Sequence, residues 1–176
     1  MLHISQKAPI FEHVTAYQKG QTDFIKIDLK NYLGKWLIFF FYPRDFTFIC
    51  PTELKGFSKH KAAFTELNAD LLACSTDSEW SHKNWFERDL PDVDYPILTD
   101  NTHKIAMDYD VYNEADGLAE RGTFIIDPEG ILRYALISSG SVGRSVTETL
   151  RVLKALQSGE LCPVEWNQGD QTLGKA

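Results

Sequence analysis

WLIFFFYPRDFTFICPTELKGF, residues 36–57, decides how the rest of the chain is read. Residues 36–42 form an unbroken apolar run, long enough for a buried strand and too short to cross a membrane. Pro43 stops the ladder, because it has no N–H to give and fixes its own φ. After a short loop come Thr47, Cys50 and Pro51. Proline suits the start of a helix, where an N–H would be unpaired anyway. Cys50 is therefore expected where a buried strand has ended and a helix begins. Unpaired N–H groups and the positive end of the helix dipole converge there, and both favour a thiolate.

The 176 residues are 43% hydrophobic and 24% charged, which predicts one soluble globular domain with a real core. A net charge of −7 argues against a nucleic-acid partner or a polybasic membrane patch, since phosphate contacts need clustered positive charge. The opening residues, MLHISQKAPIFEH, lack the basic-then-apolar order of a signal peptide, so a cytoplasmic protein with no membrane partner is expected. Three cysteines are too few, and odd in number, for a structural disulfide framework. In a reducing compartment a disulfide here would be transient and catalytic.

Outward from the central stretch, residues 11–17 and 24–29 alternate and predict a hairpin. Residues 51 to about 67 carry Leu54, Phe57, Phe64 and Leu67 on one helical face. DLLACS, residues 70–75, predicts a short buried strand, and the serines after it can cap a helix through Phe86. Residues 90–96 read as a loop and 103–109 as a helix. Residues 123–126 and 131–137 read as strands joined by the turn Asp127-Pro128-Glu129-Gly130. Val146, Leu150, Leu153 and Leu156 mark an amphipathic helix that Gly159 ends. The alternation predicts α/β layers around one central sheet. Residues 1–159 form the expected domain, and 160–176 a flexible tail.

Thr47-x-x-Cys50 lies where a thioredoxin-like disulfide reductase would carry C-x-x-C. With threonine first, no local dithiol can form, which disfavours that reading. Cys74, inside DLLACS, reads as a small core hydrophobe. The five histidines show no paired spacing for a zinc site, and no Gly-rich phosphate loop is present, so neither metal nor nucleotide cofactor is expected. His3, His13, His60, His82 and His103 read as surface or packing residues.

YPRDFTFICPTEL resembles the active-site signature of the peroxiredoxins, P-x-x-x-T-x-x-C, spelled by Pro43, Thr47 and Cys50. RGTFIIDPEG, GRSVTETLRVLKALQ and GELCPVEW are similar to further stretches of the typical 2-Cys branch, in matching order along the chain. The resemblance implies a thioredoxin-like fold, a central mixed sheet flanked by helices. It implies a thiol peroxidase in which Cys50 attacks hydrogen peroxide or an alkyl hydroperoxide and becomes a sulfenate. Arg121 matches the family's catalytic arginine, Glu53 and Arg144 the positions that orient it, and Pro43 a shield around the thiolate. Thr47 would donate to the peroxide. Cys162 matches the resolving cysteine, which in the family comes from the partner subunit and gives an intersubunit disulfide. A homodimer, a ring of five dimers and a disulfide reductase or thioredoxin-type electron donor are implied with it.

Two features place the chain within the branch. RDLPDVDYPILTD has no glycine where over-oxidation-prone eukaryotic members carry a glycine-rich insertion, and only residues 163–176 follow Cys162, with no Tyr-Phe pair. Both match bacterial-type alkyl hydroperoxide reductase peroxidase subunits. A reading from another class, a non-catalytic holdase or scaffold, is separated from this one by a peroxide-consumption assay.

Overall fold

The computed structural model describes residues 2–175. In chain order the strands are β1 (Val14–Tyr17), β2 (Ile25–Ile27), β3 (Trp36–Phe41), β4 (Ala69–Ser75), β5 (Ile97–Thr99), β6 (Tyr112–Asn113), β7 (Leu118–Ala119), β8 (Arg121–Ile126) and β9 (Leu132–Ser138). The α-helices are α1 (Cys50–Lys59), α2 (Lys61–Glu66), α3 (Glu79–Asp89), α4 (Lys104–Asp108) and α5 (Val146–Ser158). Among the described residues the chain divides into two compact units, Met1–Arg144 and Ser145–Ala176.

The first unit is built on a seven-stranded sheet in the order β2-β1-β5-β4-β3-β8-β9. The sheet is mixed: β3, β4 and β5 run parallel, while β8 joins β3 and β9 joins β8 antiparallel. β3 is interior, and all its residues after Trp36 are buried. Its alternation sends Phe39 and Phe41 to one face, where Phe39 meets Phe11, Tyr109 and Phe41, and Phe41 meets Phe124. Phe40 points the other way and stacks on Phe57 of α1 at 4.1 Å between ring centroids. Each such aromatic pair adds about 1 kcal/mol beyond the area it buries. The Phe40–Phe57 stack and buried Leu54 seat α1 on the sheet, and so fix where its first residue lies.

The hairpin of β1 and β2, the turn at Asp127–Gly130 and the strands on either side of it form as the sequence predicts. The single helix expected over residues 51–67 is two helices. His60 lies between them at φ −99°, ψ 6°, and its Nδ1 donates to the Gly56 carbonyl at 2.8 Å. That acceptor would otherwise take the His60 backbone N–H, which bonds Phe57 O instead. β5 escaped the sequence reading. It is only three residues long, between Pro96 and Asp100, yet wholly buried between β1 and β4.

The second unit is α5 with the segment after it. Ser145 caps α5 by accepting the Glu148 N–H at 3.2 Å, and Gly159 ends it at φ 65°, where a side chain would be strained. Leu161 exchanges backbone hydrogen bonds with Leu173 and Gly174, and Trp166 is buried with its carbonyl held by Arg151.

Candidate active site

Tyr42 makes the last ladder contact after β3, its N–H donating to Cys74 O at 3.0 Å. Pro43 then turns the chain out of the sheet, and α1 opens with Cys50 as its first residue and Pro51 next. No side chain caps this helix. Its positive end is left to the Cys50 sulfur, which is 1% exposed.

Strand register brings the arginine to the same spot. β8 runs antiparallel to β3 with Phe40 opposite Thr123, so Arg121 falls just past the end of β3, where α1 begins. Its Nη1 lies 3.4 Å from Cys50 Sγ and donates to Glu53 Oε2 at 2.7 Å. Nε and Nη2 both donate to Gly140 O, at 3.1 and 2.8 Å, which fixes the plane of the fork. Among the described residues one Nη2 hydrogen is left without a partner, free for a substrate oxygen. Burial pulls Arg121 down, but hydrogen bonds and charge from Cys50 and Glu53 outweigh it and raise its pKa.

Arg144 completes the frame. Its side chain donates to Glu53 Oε1 at 2.9 Å and Oε2 at 3.3 Å, to Gly122 O and Thr123 Oγ1, and to Phe41 O. All five donors are used, and its backbone N–H also reaches Glu53 Oε1 at 2.8 Å. Burial pushes its pKa down, opposed by Glu53. The Glu53 and Arg144 side chains are each 2% exposed, so their charges are solvated by one another rather than by water. Two guanidinium groups against one carboxylate leave one positive charge over. The Cys50 sulfur lies against that excess positive charge, at Arg121 Nη1.

The residues singled out in the sequence thus fall into three places. Cys50, Glu53, Arg121 and Arg144 are in mutual contact. Pro43 and Thr47 are half-buried on the loop between β3 and α1, and the Thr47 hydroxyl donates to Arg44 O at 2.9 Å rather than capping α1. Cys162 belongs to the second unit, half-buried, with Sγ 3.4 Å from Ser158 Oγ and 3.8 Å from Ala155 O. All three cysteines are free. Cys74 is buried in β4, and burial together with Asp100 pushes its thiol well above the ordinary range. The carbonyls of Gly140, Gly122 and Phe41, which orient the arginines, leave no mark in the sequence because any residue type supplies one. His82 is a packing residue, fully buried, with Nδ1 hydrogen-bonded to Asp45 Oδ2 at 2.8 Å. Among the described residues no group of three or more His, Cys, Asp and Glu could hold a metal ion. Nor is any helix there long and apolar enough to cross a membrane.

A cysteine at a helix start, faced by a fixed arginine, on this sheet, defines the class of thiol-dependent peroxidases. Residues 4–135 match the AhpC/TSA family. A Clostridium pasteurianum protein named as a peroxiredoxin of the rubredoxin operon is 46% identical, over 97% of this chain and 98% of its own. A thioredoxin peroxidase of Trypanosoma brucei rhodesiense is 45% identical, over 97% of this chain and 89% of its own. The reduced 2-Cys peroxiredoxin of Plasmodium vivax superposes with a TM-score of 0.91 at 33% identity, covering 98% of this chain and 93% of that one, and shares the thioredoxin-like fold. The chain belongs to the AhpC/TSA family and is a peroxiredoxin of the bacterial type.

Proposed function

We propose that this enzyme reduces hydrogen peroxide and alkyl hydroperoxides through a Cys50 sulfenate that Cys162 of the partner subunit resolves. The observation that carries the reading is the 3.4 Å approach of Arg121 Nη1 to Cys50 Sγ inside the closed Glu53–Arg144 frame. The thiolate attacks one peroxide oxygen, the O–O bond breaks, and the sulfur keeps that oxygen as a sulfenate. The other oxygen leaves as hydroxide or alkoxide and takes a proton to become water or an alcohol. Charge develops on that leaving oxygen, where the spare Arg121 donor can meet it, joined by the Thr47 hydroxyl when that group turns from Arg44 O. Pro43 shields the sulfur from water.

The Cys162 thiol then condenses with the sulfenate, releasing water and forming the disulfide. A dithiol donor of the thioredoxin type reduces it, a role supported by the name of the trypanosomal relative. Resolution by the tail of another chain needs a dimer. β9 supports one: it is the outer strand of the sheet, seven residues long, with Leu136 and Ile137 exposed, a surface that invites pairing with a second copy. Five such dimers in a ring, acting in the cytoplasm against peroxides, complete the proposal.

Peroxide consumption driven by a small dithiol tests the first step, and non-reducing electrophoresis the second. Cys50→Ser should abolish turnover with the fold intact. One equivalent of peroxide should give a covalent dimer in the wild type and none in Cys162→Ser. Turnover by Cys50→Ser, or a bridge through Cys74, would overturn the scheme.

A further inference from the structure

The loop that carries Pro43 and Thr47 hangs from α3, through a buried network separate from the one around Cys50. Asp45, between those two residues, is 3% exposed. Its Oδ1 accepts from Tyr42 Oη at 2.7 Å, and its Oδ2 from Ser81 Oγ at 2.8 Å and His82 Nδ1 at 2.8 Å. Its backbone N–H donates to Asp77 Oδ2 at 2.9 Å, an oxygen also held by Ser75 Oγ. His82 has no exposed surface, and its Nε2 faces Leu98 O at 3.2 Å. Oxygen atoms thus lie against both ring nitrogens, Tyr42 Oη also standing 3.3 Å from Nδ1, so the ring is held from both ends. The next residue along, Phe46, is in the left-handed region at φ 56°, with its ring 5.7 Å from that of Trp85 and under the Arg88 guanidinium at 5.0 Å. A non-glycine residue is strained there and persists only where the surroundings dictate it.

We propose that Asp45 and His82 are positioning residues for the peroxidase reaction: the hydrogen bonds that join them clamp the peroxide-facing loop to α3 and so set Pro43 and Thr47 against the sulfur. The inference rests on the reading that Cys50 attacks peroxide with Thr47 beside it. Burying polar groups gains little net stability even when they are hydrogen-bonded, whereas directional bonds fix one loop conformation among many. The network around the sulfur uses β8, Gly140 and Arg144 and shares no residue with this one. Loosening the clamp therefore leaves the charges around Cys50 in place while moving the groups that face the substrate. A misplacement of about 1 Å costs on the order of 100-fold in rate.

The experiment compares two second-order reactions of Cys50, oxidation by hydrogen peroxide and alkylation by iodoacetamide, in wild type, His82→Gln and Tyr42→Phe. Alkylation reports the thiolate and needs no oriented peroxide. Oxidation should fall about 10- to 100-fold in His82→Gln and by a smaller factor in Tyr42→Phe, with alkylation within twofold of wild type in both. If His82→Gln does not fold, Tyr42→Phe, which removes one hydroxyl from Asp45, decides. Oxidation unchanged in the folded variants, or oxidation and alkylation falling together, would overturn the clamp. A wild-type Cys50 inert to peroxide would overturn the peroxidase scheme, and the clamp with it.

Discussion

Arg121 Nη1 lies 3.4 Å from Cys50 Sγ although 71 positions separate them in the chain. The contact exists because β8 runs antiparallel beside β3, and the two residues flank the same end of that pair. Arg121→Lys keeps the charge and loses the fork, which here spans Gly140, Glu53 and the sulfur at once. The rate of Cys50 oxidation should fall about 100- to 1,000-fold, as when one preorganised donor is removed from a developing oxyanion. Stopped-flow mixing with peroxide measures this. A loss under threefold would remove Arg121 from the chemistry.

Glu53 is the only carboxylate hydrogen-bonded to both guanidinium groups among the described residues. Glu53→Gln leaves two buried cations with only the sulfur to balance them. Breaking a buried ion pair on one side costs about 3–5 kcal/mol, so the urea midpoint should fall markedly and the peroxide reaction should slow with it. A midpoint within error of wild type would show that water reaches the cluster.

Gly122 has no room for a side chain. A Cβ there would lie 2.7 Å from Val111 Cγ1 and 2.8 Å from Phe124 Cε2, and its carbonyl also holds Arg144. Gly122→Ala should destabilise the chain by about 1–3 kcal/mol, the usual cost of overpacking, read as a lowered thermal midpoint. An unchanged midpoint would mean Val111 can turn aside freely.

Asp127 gives a pH dependence with a defined sign. Burial alone would raise its carboxyl, but the Ile131 N–H, the Arg133 guanidinium and the Glu129 N–H outweigh burial and hold it below the usual carboxylate range. A pKa depressed on folding contributes stability that is present above the unfolded value, about 3.9, and is lost as pH falls through the folded one. Asp127→Asn should therefore be less stable than wild type at neutral pH. The gap should close as the pH drops below about 4. Thermal midpoints across that range check it, and a gap constant with pH would assign the loss to shape rather than charge.

Over-oxidation depends on how fast the Cys50 sulfenate is resolved relative to attack by a second peroxide. The segment after Cys162 holds itself by the Leu161 pairings with Leu173 and Gly174 and by buried Trp166, with Gly169 and Gly174 at positive φ and no helix. Further bonds tie Trp166 to Arg151 and Asp170, and Thr172 to Glu160, but most of the segment is exposed, and an exposed segment without helix or strand opens at lower cost than the core. Sulfinate at Cys50 should appear only at high peroxide, as followed by mass spectrometry through a titration. Sulfinate at low peroxide with Cys162 intact would show that the tail does not move freely.

The sequence by itself determined what is local. An apolar run stopped by Pro43 fixed the strand and its end, Pro51 the start of the Cys50 helix, Asp127–Gly130 the turn, and Gly159 the end of α5; each is a backbone preference carried by one or two residues. The signature at Pro43, Thr47 and Cys50 was legible for the same reason. Tertiary structure decided the rest. β5 is a strand because it is buried between two others, not because three residues prefer it. His60 divides a helix through a bond its own side chain makes. Arg121 could be matched to a role from sequence, but its orientation is set by a bare carbonyl at Gly140. His82 shows no spacing of interest, and its hydrogen bond with Asp45 arises because α3 packs against a loop 37 positions away. Charges that meet across a fold are fixed by register and packing, and a one-dimensional pattern does not carry those distances.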